Sequence, residues 1–266
     1  MKIITWNINS IRLRLPALLN LISTLNPDII CLQETKCPDE KFPYDELFNA
    51  GFHYIAKKGQ PSYNGVAILS KIKISNILNH DFCNKKDSRY IGIETTKTKH
   101  CEPLLIHNFY VPAGGDEPNP KINEKFYHKL LFLDEMKDYL SQSVKNPINQ
   151  IVVGDLNIAP HENDVWSHKA LKNIISHTEI EIDKLNNICN SQNWCDALRH
   201  GIPESQKVYT WWSYRNKDWE KSNRGRKLDH IWITKNLIQL KKDILIYKET
   251  RNWDRPSDHV PVMITI

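Results

Sequence analysis

Between Ile148 and Pro160 the chain reads INQIVVGDLNIAP. An apolar, β-branched run (Ile148, then Ile151 to Val153) is cut off at Gly154, and Asp155, Asn157 and Pro160 follow at once. Such a run, bounded by glycine, predicts a buried strand that opens into a loop. Side chains two apart on an extended backbone start on the same side, so Asp155 and Asn157 leave the hydrophobic layer together. A carboxylate beside a core requires a partner, because desolvating an isolated charge is expensive. Candidates for that partner lie at the ends of other strands.

Lys2 to Asn7 (KIITWN) is β-branched and aromatic and predicts the first strand. Leu15, Leu18, Leu19, Ile22 and Leu25 recur at helical spacing, with Pro16 in the first turn and Asn26-Pro27 as the stop. Asp28 to Leu32 predicts a second apolar strand, which ends in Gln33, Glu34, Thr35 and Lys36. Further strands are expected at Phe52 to Lys57, Gly65 to Ser70, Tyr90 to Thr95 and Leu104 to Val111. The last of these carries Tyr110 and runs into the loop Pro112-Ala113-Gly114-Gly115. Glu124 to Val144 reads as a long amphipathic helix, with Phe126, Leu130, Leu133, Leu140 and Val144 on its apolar stripe.

Residues 161–200 read as mainly helical or irregular, and 203–227 as an aromatic and basic loop region. There Tyr209, Trp211, Trp212, Tyr214 and Trp219 interleave with Arg215, Lys217, Lys221, Arg224, Arg226 and Lys227. Asp229 to Thr234 and Val260 to Ile266 complete the strands, the latter directly after Ser257-Asp258-His259. No repeat, linker or low-complexity block interrupts the chain. The expectation is one domain over residues 1–266, α+β or α/β in class, with two packed sheets flanked by helices.

Composition sets wide bounds. With 266 residues, 40% hydrophobic and 25% charged, the chain has ordinary globular values. A net charge of +5 is compatible with a polyanionic partner. Six cysteines are scattered without a CxxC pair or zinc-ligand spacing, and Cys31 sits inside the apolar run IICL as a buried thiol. The N-terminal stretch lacks a charged region followed by an apolar core, and no apolar run approaches the length of a membrane span. A reducing, bacterial cytoplasmic or nucleoid setting without membrane association is expected.

Listed by strand end, the polar set is Asn7, Glu34, Tyr110, Asp155, Asn157, Asp229, Asp258 and His259. Singly each has a plain explanation: Asn7 as a turn former, Glu34 as a solvated strand end, Asp258 as a cap, His259 as a satisfied histidine. Together they are what metal-assisted phosphoester cleavage requires. Magnesium takes hard oxygen ligands, commonly one or two carboxylates with substrate phosphate and water. A second carboxylate orients or deprotonates the attacking water, and hydrogen-bonding or cationic groups stabilise the phosphate oxygens. No G-x-S-x-G, HExxH or P-loop pattern competes.

WNINSIR, LQETK, NGVAILS, NFYVPAG, GDLNIAP, YTWWSYR, KLDHIWIT and SDHVPV, from Trp6 to Val262, together resemble the motif series of the exonuclease III family of AP endonucleases, in that family's order. The family belongs to the endonuclease/exonuclease/phosphatase superfamily. The resemblance implies a four-layer α/β sandwich of two mostly antiparallel sheets flanked by helices. It implies Glu34 as a metal ligand assisted by Asn7, with Asp258 near the metal cluster and one or two ions, Mg²⁺ or alternatively Mn²⁺. Asp155 would position and activate water, Asn157 would orient Asp155 and the phosphate, and His259, paired to Asp229, would contact the scissile phosphate. Tyr110 would donate to the phosphate or support the leaving oxygen.

Trp211 and Leu228 fall where the family places apolar residues around a flipped-out abasic sugar, with Trp212 beside or behind them. Arg215, Arg224, Arg226 and Lys227 would contact phosphates. Two departures stand out: Arg226 occupies a position where several relatives are apolar, implying a less closed pocket, and Asn9 stands where some members carry aspartate. The implied activity is a Mg²⁺-dependent DNA repair nuclease. It would act as a monomer on double-stranded DNA, incising 5′ to abasic sites, with 3′-phosphodiesterase activity on 3′ blocking groups and 3′→5′ exonuclease activity. The alternatives are a superfamily phosphatase acting on inositol lipids or sphingomyelin, and an inactive relative that binds nucleic acid as a regulator.

Overall fold

The computed structural model describes residues 1–99, 102–143, 149–216 and 218–266. Val144, Ile148 and Lys217, all singled out above, and Cys101, one of the six cysteines, lie outside the described residues. In chain order the strands are β1 (Lys2–Asn7), β2 (Ile29–Gln33), β3 (Tyr54–Lys58), β4 (Val66–Ser70), β5 (Ile74–Leu78), β6 (Tyr90–Thr95), β7 (Leu104–Tyr110), β8 (Asn149–Asp155), β9 (Cys195–Asp196), β10 (Trp211–Trp212), β11 (Gly225–Arg226), β12 (Asp229–Ile233), β13 (Asp243–Ile246) and β14 (Val262–Thr265). The helices are α1 (Leu15–Leu25), α2 (Tyr44–Asn49), α3 (Glu124–Ser143), α4 (His168–Leu171), α5 (Glu179–Ser191), α6 (Ala197–Gly201), α7 (Trp219–Ser222) and α8 (Lys235–Ile238).

Two six-stranded sheets form, ordered β13-β14-β1-β2-β4-β3 and β5-β6-β7-β8-β12-β9, beside a small β10-β11 ribbon. Each six-stranded sheet has one parallel pair, β1–β2 or β7–β8, and its other pairings are antiparallel. Parallel neighbours need a crossover, which α1 and α3 supply. Because successive side chains alternate faces, Ile3, Ile29 and Cys31 meet Ile106, Ile151 and Val153 between the sheets. Ile4, Trp6, Ile30 and Leu32 point the other way onto Leu18, Leu21 and Ile22 of α1. On the opposite side Phe109, Val152 and Trp232 pack under Phe132, Met136, Leu185 and Ile188 of α3 and α5. Both faces of the central strands are therefore covered, which is why they read as unbroken apolar runs. The layers run helix, sheet, sheet, helix.

Several elements depart from expectation. β5 and β13 were not anticipated because both are edge strands with mostly half-exposed or exposed residues, so their apolar pattern is weak. Val260 and Pro261 precede β14, and the Val260 N–H donates to the Thr210 carbonyl (2.8 Å), next to the ribbon. The region expected as a loop at 203–227 contains that ribbon and α7, with Tyr209, Trp212, Val260 and Trp219 forming a satellite core.

Register positions the functional edge. Asn7 lies opposite Gln33, Tyr110 opposite Asp155, and Asp229 opposite Asp155 on its other side. The ends of both parallel pairs thus deliver polar residues to the same edge. Immediately before Asp155, Gly154 has φ +138°, and a Cβ there would stand 1.9 Å from the Phe109 carbonyl oxygen. Gly154→Ala should accordingly cost at least about 2 kcal/mol, through left-handed strain and overpacking together. Urea unfolding checks this, and a wild-type midpoint would sink it.

β7 also buries His107, whose Nδ1 lies 2.9 Å from the Tyr90 hydroxyl and Nε2 3.4 Å from Gln150 Oε1. Burial lowers its pKa to about 4, against the smaller opposing pull of Gln150. In the unfolded chain an imidazole protonates near about 6.5, so this contribution to stability is complete above that pH and is lost as pH falls towards about 4. Between about pH 7 and about pH 5, His107→Gln should lose about 2 kcal/mol less unfolding free energy than the parent chain. Equal losses would refute the assignment.

Candidate active site

Five separate segments build the centre. Asn7 closes β1, Glu34 follows β2 with φ 51°, Asp155 closes β8 and Asn157 follows it with φ 54°. Asp229 opens β12, and His259 arrives on the segment before β14. Asn7 Nδ2 donates to Glu34 Oε1 and to Asp155 Oδ2, both at 2.9 Å. Asn157 gives its backbone N–H to Asp155 Oδ1 (3.0 Å) and its Nδ2 to Asp155 Oδ2 (3.1 Å) and the Val111 carbonyl (2.9 Å). His259 Nδ1 pairs with Asp229 Oδ2 at 2.8 Å, which leaves Nε2 3.6 Å from Asp155 Oδ2. Asp155 is 1% exposed and Asp229 0%. Asp229 in turn is held by its backbone N–H on Thr210 Oγ1 (3.1 Å).

The electrostatics sort these groups into roles. Burial pushes the Asp155 pKa up to about 7, with Asp229 and Glu34 adding and His259 and Asn7 opposing. Burial alone would discharge His259, but the Asp229 and Asp155 carboxylates outweigh it and raise its pKa to about 10. Glu34 moves the other way: against burial, the Lys36 ammonium and the Asn7 amide hold it below the usual carboxylate range. Asp258 is likewise lowered against burial by His259, Asn9 and Trp211. The Tyr110 phenol is pushed well above its ordinary value by burial and by Glu34 and Asp155, so it stays protonated and able to donate.

Two donor sets could hold a cation. The ligand atoms of Asp155, Asp229 and His259 all lie within 4.8 Å of one another. There the imidazolium already supplies the positive charge between the carboxylates, so an ion would have to displace a proton. The second set is the one the resemblance implies, the oxygens of Glu34, Asn7 and Asp258. In it Glu34 Oε2 already meets the Lys36 ammonium (2.8 Å) and Oε1 the Asn7 amide (2.9 Å), so an ion would have to displace Lys36. Asn9 Nδ2 donates to Asp258 Oδ1 (3.0 Å), and Lys36 Nζ joins Asn9 Oδ1 (2.7 Å) to Glu34 Oε2 (2.8 Å). Ionised carboxylates with amide oxygens fit a hard divalent cation better than an imidazole-bearing set does.

Trp211 joins this centre, donating Nε1–H to Asp258 Oδ2 at 3.0 Å. Leu228 packs beside it in a small cluster with Ala159, Val165, Leu171 and Trp166. Arg226, directly opposite Trp211 in the ribbon, lies 5.5 Å over its ring and donates to the Ile175 carbonyl (3.0 Å) and Ser176 Oγ (2.7 Å). Where an open pocket was expected, Arg226 instead braces two walls. Arg224 is exposed over Trp166 (4.8 Å) and Arg215 is exposed.

One sequence assignment is corrected, and a second is narrowed to a supporting place out of reach of DNA. Lys227 is fully buried, its ammonium 2.7 Å from Asp196 Oδ2 and 3.9 Å from Asp164 Oδ2, and it cannot reach a DNA phosphate. Trp212 is also fully buried, behind the ribbon, with its Nε1–H on Asn223 Oδ1 (3.2 Å) and its ring against Tyr209 and Trp219. Alternation explains both, since neighbours on an extended segment face opposite sides. Sequence reasoning passed over Lys36, Thr210 and Ser257. Lys36 carried the signal of standing two residues after Glu34. Ser257, whose Oγ donates to the Asn7 carbonyl (2.7 Å) and accepts from the His259 N–H (3.2 Å), carried none beyond its place in SDH.

Comparison with known proteins agrees with this geometry. Residues 4–259 match the Endonuclease/Exonuclease/phosphatase family. Over 273 residues the chain is 29% identical to exodeoxyribonuclease III of Haemophilus influenzae, covering 98% of each protein. It is similar in structure to an AP endonuclease from Archaeoglobus fulgidus, with TM-score 0.90 and 29% identity over 100% of this chain and 99% of that one. A 3′ phosphatase from Neisseria bound to a product DNA hairpin gives the same TM-score, identity and coverage. The chain belongs to the endonuclease/exonuclease/phosphatase family, and within it to the exonuclease III branch of AP endonucleases.

Proposed function

We propose that this chain is a divalent-metal-dependent DNA repair nuclease that hydrolyses phosphodiesters 5′ to abasic sites and at blocked or recessed 3′ ends. The observation that carries the reading is the buried Asp155 carboxylate, held by Asn7 and Asn157 and faced by the Asp229-bound His259. Asp155, with its pKa near 7, is matched to take a proton from water at neutral pH. Asn157 fixes its orientation. His259, cationic on Asp229, stabilises charge on the phosphate oxygens, and Tyr110 donates its phenolic proton there.

Glu34, Asn7 and Asp258 would hold the metal, Mg²⁺ with Mn²⁺ as substitute, since their donors are oxygens. When bound, such an ion neutralises charge on the phosphate and on the leaving oxygen. Trp211 and Leu228 offer an apolar face beside the centre for a sugar that has lost its base, and an unstacked abasic nucleotide is cheaper to extrude than an intact one. Arg215 and Arg224 are the exposed cations placed to follow the DNA backbone. The enzyme works as a monomer in a bacterial cytoplasm.

The direct test uses one duplex with a single abasic analogue and another, undamaged, with a recessed 3′ end. Mg²⁺-dependent cleavage is expected on both, abolished by EDTA and reduced roughly 1,000-fold in kcat by Asp155→Ala. Cleavage of neither would overturn the nuclease reading; cleavage of the recessed end alone would remove the abasic-site activity. Salt dependence separates the arginines from Lys227. Arg224→Ala should lower the slope of log K against log salt by about 0.9. Lys227→Ala should leave that slope alone and cost about 3–5 kcal/mol of stability by stranding buried carboxylates. A reduced slope in Lys227→Ala would refute its structural role.

A further inference from the structure

Lys129 is a fully buried cation that the chemistry above leaves unused. It lies on the inner stripe of α3, three residues after Phe126 and four before Leu133, where an apolar residue is the norm. Its Nζ stands 2.5 Å from Glu181 Oε1 and donates to the backbone carbonyls of Asn157 (2.8 Å) and Ala113 (3.3 Å). Three ammonium hydrogens meet three acceptors. Burial lowers its pKa, and the Glu181 carboxylate opposes that, with Asp155 adding to the opposition.

Both carbonyls belong to loops that leave the strands bearing the active site. Asn157 holds its left-handed φ of 54° while its carboxamide bonds Asp155 and Val111. Gly114, next to Ala113, packs on the lysine stem so closely that a Cβ would stand 3.1 Å from Lys129 Cδ. On the far side Glu181 accepts from the backbone N–H groups of Ser176 (3.0 and 2.9 Å) and Thr178 (3.2 Å) and from Thr178 Oγ1 (2.7 Å). The ion pair therefore ties the loops after β7 and β8 to the start of α5. Buried pairs are weak devices for stability, because apolar replacements of similar volume are often neutral. What this pair adds is a fixed place for the Asn157 peptide.

We propose that Lys129 is a positioning residue of the active site, its ammonium holding the Asn157 peptide and thereby the Asn157 carboxamide on Asp155. The inference rests on Asp155 and Asn157 being the chemical centre of the nuclease. Displacements of about 1 Å at such a centre cost up to about 100-fold in rate.

Lys129→Met alone strands the Glu181 charge and is expected to fold poorly. Lys129→Met/Glu181→Gln removes both charges while keeping an acceptor for Ser176 and Thr178, and should unfold near the wild-type midpoint. On the recessed 3′-end duplex its kcat should fall roughly 10- to 100-fold with KM within about twofold. Glu181→Gln alone strands the Lys129 ammonium and should lower the unfolding midpoint. The folded protein, with the ammonium still on the Asn157 carbonyl, should nevertheless lose less than about threefold in kcat. In an Asn157→Ala background the two substitutions should lower kcat no further, because residues acting as one unit do not add. A folded double variant with wild-type kcat, a loss confined to KM, or losses that multiply in the Asn157→Ala background would each overturn the role of Lys129. Absence of cleavage by the wild-type protein would overturn the nuclease reading and this role together, so the two failures are distinguishable.

Discussion

Removing a carboxylate from water costs several kcal/mol unless hydrogen bonds and opposite charge replace the lost hydration. Asp155 sits at 1% exposure at the end of a strand covered on both faces, and its compensation comes from far away in the chain. Asn7 reaches it from β1, Asn157 from the loop two residues on, and His259 from the segment before β14. Each partner is in turn held: Asn7 by the Ser257 hydroxyl on its carbonyl, His259 by Asp229, Asn157 by the Val111 carbonyl. A one-residue slip in β1, β8 or β12 would turn these side chains to the other face. Satisfying Asp155 thus requires the two sheets to hold their registers together.

The same burial divides labour among chemically similar groups. Four carboxylates lie close together, yet Asp155 is pushed up to about 7 while Glu34 and Asp258 are lowered. Depth and neighbours decide the difference. Asp155 shares its enclosure with Asp229, whereas Glu34 has the Lys36 ammonium and Asp258 has two N–H donors from Asn9 and Trp211. Asp155 is thereby suited to accept a proton near neutral pH, while Glu34 and Asp258 are held as anions. Environments that push such groups apart are how a single fold assigns acid, base and ligand roles.

The aromatic and basic segment before β12 shows how strictly geometry filters composition. Of Trp211 and Trp212, the first bonds Asp258 and the second fills a satellite core. Of Arg226 and Lys227, the first braces the 175–176 loop against Trp211 and the second neutralises Asp196 and Asp164 in the interior. Basic residues here are as much internal counter-charges as docking groups, and +5 of net charge says nothing about which is which.

Periodicity made the central strands, α1 and α3 legible, because strands buried on both faces leave continuous apolar runs and their polar ends mark the loops. Asn7, Glu34, Asp155, Asn157, Asp229 and His259 could be listed from those strand ends alone. Edge strands β5 and β13 were hidden, since one-sided pairing leaves a weak apolar pattern. Lys129 and Lys227 were hidden for a different reason: a lysine in a sequence carries no mark of whether its ammonium meets water or a buried carboxylate. Local pattern therefore determined which residues stand at strand ends. Only the tertiary structure decided which of them share a hydrogen bond, because partners such as Asn7 and Asp155 are brought together by the packing of two sheets and not by their spacing in the chain.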